Sequence, residues 1–286
     1  MISRGHRTLA SADRGSRCSP RLLSARVRRP GKGVSSIYLV NIGANTGHGA
    51  KARSPLLKDG SFIYVPFPTT SPKPGSGYPP DSLPFVRGVG RRCTHADPDW
   101  VGLSYGDRCS NPRAAALKGV AVNDILLFWG LLWRNTGIDW TGFTGERGWY
   151  LLGALRVEEI AEPGQILQRV SRKNRARASR NAHFLSGHGV VPRDERVFLG
   201  ATGYSKQFSR PVDLEVTKPS GLVYRAFTSS HGSLLSYGVS PSWRSSLRSC
   251  RRIWDLRDHA DCTRVQLVRD AILQSEGFDL LKDIAV

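Results

Sequence analysis

The sequence predicts an α+β fold: a mixed or antiparallel sheet with long loops and C-terminal helices. Three observations carry this. Apolar, β-rich runs occur at "SSIYLVNIGAN", "DILLFWGLLW" and "RGWYLLGALRVEEI", each bounded by Gly, Asn or Asp. A stretch rich in Pro, Ser and Gly interrupts them between residues 69 and 92. Near the end, Val265, Leu267, Val268, Ala271 and Ile272 follow helical spacing.

In chain order, residues 1–34 hold nine basic side chains against Asp13 alone, with no hydrophobic period. They read as a disordered leader, with an Arg-rich transit peptide or an extension upstream of the true start as alternatives. Residues 35–286 read as a single domain. "SSIYLVNIGAN" (35–45) is a buried strand running into a loop. "SFIYVPFP" (61–68) is extended, with Pro66 and Pro68 excluding helix and a central strand position. Asn111 and Pro112 mark the start of a short helix. The Asn123-Asp124 turn then leads into a strand buried on both sides. "TGFTGERG" is a hairpin loop before the strand over 147–160. A helix is expected around 164–173, and strands at "ERVFLGATGYS" (195–205) and "GLVYRAF" (221–227).

The 286 residues carry a formal net charge of +19, and the body is basic even without the leader. Such an excess draws polyanions, most commonly nucleic acid. The five cysteines include no CxxC pair, so a zinc ribbon is not indicated. No signal-peptide core or apolar run of membrane length is present. These features predict a cytoplasmic protein with free thiols and no membrane partner. The absence of GxSxG, HExxH and HxE…PCxxC excludes several hydrolase and deaminase classes.

Four segments are candidates for chemistry. "NIGANTGHGAKARSP" offers Asn41, Asn45, His48, Lys51 and Arg53 after a strand, among glycines that let a ligand approach the backbone. The plain alternative is a glycine-rich turn. "HADPDW" and "YGD" place His95, Asp97, Tyr105 and Asp107 close together. Asp97 or Asp107 would act as general base, with His95 or His183 as acid or proton shuttle. Here the alternative is a turn braced by its own carboxylates. A metal there needs further ligands, for which His183 and His48 are candidates, and no metal or other cofactor is assigned. "SRKNRARASRNAH" carries Arg172, Lys173, Arg175, Arg177 and Arg180, with Arg169 just before it, as a phosphate-contact strip or a solvated loop. It ends in Asn181 and His183. Trp129 and Tyr150 read as core, and Trp140 as exposed.

Taken in order, "YLVNIGANTGHGAKARSPLLKDGSFIYVPFP", "THADPDWVGLSYGD", "NAHF" and "VFLGATGYSKQFSRPVDL" resemble the family called nucleotide modification associated domain 3, over roughly residues 35–240. The resemblance implies association with systems that modify, or respond to modified, nucleotides in the DNA of phages and bacteria. The partner it implies is nucleic acid, DNA before RNA, or a nucleotide. "GVAVNDILLFWGLLW…GWYLLGALRV" is also similar to the core of PUA-like folds, including the ASCH and EVE relatives, where a small β-barrel holds a modified base. Two function classes follow. One is a reader that binds a base in a pocket of Asn41, Asn45, His48, Arg53, Tyr105 and Asn181, with arginines on phosphates. The other is an enzyme acting on a glycosyl bond, or by transfer, through Asp97 or Asp107 with His95 or His183.

Overall fold

A computed structural model describes residues 36–69, 77–88, 93–212, 215–217, 223–225, 250–257 and 259–284. The expected leader and parts of the 69–92 excursion lie outside the described residues. A seven-stranded mixed sheet runs in the order β3 (Ser104–Arg108), β6 (Glu195–Val212), β5 (Phe143–Ala161), β4 (Ile125–Asn135), β1 (Ser36–Asn41), β9 (Arg251–Asp255). A short β2 (Ser54–Leu56) also pairs with β4. β1 and β2 run parallel to β4, and the other pairs are antiparallel. β7 (Glu215–Thr217) and β8 (Val223–Arg225) form a separate two-stranded ribbon, which realises the centre of the expected 221–227 strand.

The unbroken apolar runs of β1 and β4 have a two-sided cause. Alternate side chains point to opposite faces of a strand, and both faces are covered. Ile37, Leu39, Ile125, Leu127 and Trp129 face α3 (His259–Glu276), against Val265, Val268 and Ile272. Tyr38, Val40, Leu126, Phe128 and Leu132 face the inner side, where they share one cluster with Tyr105 of β3 and Phe198 of β6.

That inner cluster reveals the curl of the sheet. β3 and β1 are separated by β6, β5 and β4 along the sheet, yet their side chains meet in one core. The sheet is therefore a curled half-barrel. Residues outside the strands span the gap: the Cys250 amide donates to the Arg113 carbonyl at 2.7 Å. Compared with the small closed barrel suggested by PUA-like relatives, β3 and β9 remain the two ends of an open strand path.

Several local expectations need correction. β5 starts at Phe143, so most of "TGFTGERG" is strand. Asn135 already pairs with Phe143, and the connection is the shorter stretch containing the 3-10 turn Trp140–Gly142. The helix expected at Asn111 is a 3-10 turn over Ala115–Gly119. The helix expected at 164–173 is a 3-10 turn, Leu167–Arg169, followed by α1 (Arg172–Ala178) and α2 (Ala182–Ser186). Gly164 adopts φ +78°, and Ile166 bridges to Val190, so neither is free to start a helix. One C-terminal helix is present among the described residues, and "RRIWD" before it is an edge strand. Leu267, expected on the buried face, is 50% exposed. Trp129 and Tyr150 are core, as read from the sequence.

Ile272 is fully buried between α3 and the sheet. Ile272→Ala is expected to lower the unfolding free energy by about 2–5 kcal/mol in urea denaturation. Leu273→Ala, on the exposed side, should change it by no more than about 0.5 kcal/mol. Equal effects would contradict this docking of α3.

Candidate functional site

The gap in the half-barrel contains a cavity of about 430 Å³, within the size range of small-ligand sites. The four sequence segments converge on it. Asn41 and Asn45 approach from the end of β1, and His48 from the 3-10 turn after it. His95 and Asp97 come from the loop before β3, Tyr105 and Asp107 from β3, and His183 from α2. Asn181 lies behind the wall, fully buried.

Asp97 anchors the arrangement. Its Oδ2 accepts from the Gly106 amide at 2.7 Å and faces His183 Nε2 at 3.2 Å. Its Oδ1 accepts from Asn181 Nδ2 at 3.4 Å. The Asn181 side chain also caps the start of α2 by accepting from the His183 amide at 3.0 Å. Thus "NAH" works as a unit: the asparagine sets the helix start that aims the histidine. His183 Nδ1 bonds Glu195 at the start of β6, and His183 Nε2 lies 3.1 Å from His95 Nε2.

Gly106 of "YGD" is required by this packing. A methyl group on its Cα would overlap the His183 imidazole. The motif is therefore a small residue under a ring, flanked by two functional side chains.

Burial raises the Asp97 carboxyl to about 6, despite the opposing pull of His183 and the Gly106 amide. Burial works against charge on His183, but the hydrogen bonds and charges of Asp97 and Glu195 outweigh it and raise the imidazole to about 10. Both carboxylates therefore favour the protonated form of the ring. Asp107 has a different setting. Its Oδ2 accepts from Tyr105 at 2.5 Å and from Arg113 at 2.7 Å, and its Oδ1 from the Arg108 amide at 2.7 Å. The guanidinium and the phenol occupy Oδ2 and the Arg108 amide occupies Oδ1, the oxygens that a general base would use.

One wall is aromatic. Phe67 stacks on His48 with ring centroids 5.9 Å apart and tilts against His95 at 5.3 Å. Opposite in character, Asn41 is 4% exposed, and its side-chain nitrogen has no hydrogen-bond partner among the described residues. A buried donor without a partner is costly, so a ligand acceptor at that point would be stabilising.

The expected basic residues lie elsewhere. Arg53 does not line the cavity; its guanidinium lies between Trp133 and Trp140, at 4.5 and 4.7 Å from their ring centroids. Arg87 also packs on Trp140 at 4.6 Å, and Arg147 packs on Trp133 at 4.7 Å. Burial, then the charges of Arg87 and Arg147, lower the pKa of Arg53. Of the strip, Lys173 and Arg177 pair with Glu158, and Arg180 with Asp99 at 3.2 Å. Arg175 donates to the Gln168 carbonyl at 2.7 Å. Arg169 and Arg172 are exposed. None of the six lines the cavity.

Glu195, Phe67 and Arg113 also belong to the site and were not singled out from the sequence. The pairing of Arg108 with Glu195 between β3 and β6 brings Glu195 beside "YGD". That register is a tertiary fact with no local signal.

Fold and cavity together define a basic α+β protein with a polar, imidazole–carboxylate cavity. More particularly, the chain belongs to the family described as nucleotide modification associated domain 3, whose model matches residues 36–251. The match starts at the first residue of β1 and takes in every cavity residue named above. No curated protein and no solved structure matches the chain. Among the described residues, no helix is long and apolar enough to cross a membrane.

Gly106→Ala is expected to push the His183 ring aside and cost about 1–3 kcal/mol in urea unfolding. The imidazole resonances of His183 should move in the NMR spectrum. Unchanged stability and unchanged resonances would contradict the packing described.

Proposed function

We propose that the cavity binds a nucleotide or an extruded base in the service of a DNA-modification system. The observation that carries this reading is the convergence of "NIGAN", "HADPDW", "YGD" and "NAH" on one cavity, in a chain of a nucleotide-modification-associated family. The chemistry of the walls supports it. Bases carry π faces and polar edges; Phe67 with His48 offers a stacking surface, and the Asn41 amide offers a donor. A base inside a duplex reaches such a pocket only after leaving the stack, and the basic surface would hold the flanking phosphates. Arg87, Arg147, Arg169 and Arg172 are the exposed candidates for that contact. The mutual repulsion of Arg53, Arg87 and Arg147 favours an anion beside them.

A second reading, turnover of the bound group, is supported by the chain from Glu195 through His183 to Asp97. A carboxylate with a raised pKa beside an imidazole suits proton transfer near neutral pH. In this reading Asp97 and His95 act on the ligand, while His183 orients Asp97. Asp107, held by Arg113 and Tyr105, braces the wall.

Fluorescence anisotropy with a labelled single-stranded DNA tests the binding reading, with mononucleotides as competitors. Asn41→Ala should weaken binding about tenfold, the loss of one buried hydrogen bond. Arg87→Ala should weaken it for every sequence and flatten the salt dependence by about one unit of slope. Absence of any nucleotide or DNA affinity, or wild-type affinity in Asn41→Ala, would overturn it.

A further inference from the structure

We propose that His95, Asp97 and His183 form a binding site for a single first-row divalent transition ion, Zn²⁺ or its close neighbours, open to the cavity. This goes beyond the nucleotide reading and does not depend on it. It rests on the mutual placement of three donor atoms. His95 Nε2 and His183 Nε2 are 3.1 Å apart. His183 Nε2 and Asp97 Oδ2 are 3.2 Å apart, and His95 Nε2 and Asp97 Oδ2 are 3.8 Å apart. Ligand atoms sharing a tetrahedral ion, at bonds of about 2.0–2.1 Å, stand about 3.3–3.4 Å from one another. The triangle therefore already has the size of one face of a coordination shell.

The donor set fits the same class. Two imidazoles and one carboxylate on one face, with the remaining positions open, is a pattern that Zn²⁺, Fe²⁺ and their neighbours occupy. All three residues line the cavity, so the open side is where a water or the bound ligand would complete the shell.

The surrounding contacts are those of a prepared site. A ligating histidine usually donates its other ring N–H to a carboxylate, which fixes the ring and its tautomer. His183 Nδ1 bonds Glu195 in this way, leaving Nε2 toward the other two donors. Asp97 is oriented by Gly106 through Oδ2 and by Asn181 through Oδ1. His95 comes from a loop and is the more exposed of the two histidines, its side chain 28% accessible, which gives an ion an entry path.

The arrangement also separates this site from a chance surface cluster. Asp97 and His183 are almost completely buried and come from segments 86 residues apart. Asn181 and Gly106 bring them together, and Gly106 leaves room for the His183 ring.

The test is isothermal titration of ZnCl₂ into chelator-stripped full-length protein without nucleotide, with metal content confirmed by atomic emission after dialysis. The wild type should bind one equivalent. His95→Ala, at the exposed ligand, should weaken binding at least tenfold. Glu195→Gln, which keeps the shape of the outer contact, should weaken it about 10- to 100-fold. His188→Ala, at an exposed histidine outside the cavity, should bind as the wild type does. Circular dichroism and melting temperature establish that each variant is folded. A folded wild type that takes up no ion overturns the proposal, as does one equivalent bound equally by His95→Ala and Glu195→Gln. Because no nucleotide is present, failure here leaves the binding reading of the cavity intact, and failure of nucleotide binding leaves this site intact.

Discussion

The contact between His183 and Asp97 is the interaction on which the site depends. A carboxylate as deeply buried as Asp97 persists only when hydrogen-bonded and charge-compensated. Its partners come from three places: His183 on α2, Asn181 at the helix cap and the Gly106 amide on β3. Removing one partner of such a pair typically costs about 3–5 kcal/mol. The loop carrying "HADPDW", strand β3 and helix α2 therefore hold one another in place through this single carboxylate.

The curl of the sheet makes the contact available. β1 and β3 meet across an open gap because β4, β5 and β6 bend around the Tyr105, Phe128 and Phe198 cluster. Closure of the gap by strands would fill the space with side chains, as small barrels do. Left open, and bridged by Arg113 and Cys250, it becomes a cavity lined by buried polar groups and aromatic rings. The outer face is covered by α3, so the sheet is supported without intrusion on the ligand side.

Much of this was legible in the sequence, for identifiable reasons. β1, β4 and the 150–155 segment of β5 are continuous apolar runs with both faces buried, so composition alone marks them. The turn at Asn123 and Asp124 is equally local: Asn123 takes φ +75°, and Asp124 accepts from the Ala121 amide three residues before it. Of the cavity residues, Asn41 is marked by its place at the end of an apolar strand, His95 and Asp97 by their close spacing in one loop, and His183 by closing the basic run. Glu195, Phe67 and the Arg53–Trp140 stack did not, since each gains its role from a register or contact formed at long range. The basic strip was visible as charge, but its pairing with Glu158 and Asp99 required the folded chain. The helix expected at 164–173 gives way to a 3-10 turn, because Ile166 pairs with Val190 across the chain.

We propose that the cavity is where a nucleotide binds. Its most direct measurement is a heteronuclear NMR titration of the protein with mononucleotides. Concentration-dependent shifts of the Asn41 side-chain amide and of the His48 and His95 rings are expected, with His188 unmoved. Shifts confined to the arginines between residues 169 and 180, with the cavity resonances unchanged, would contradict it.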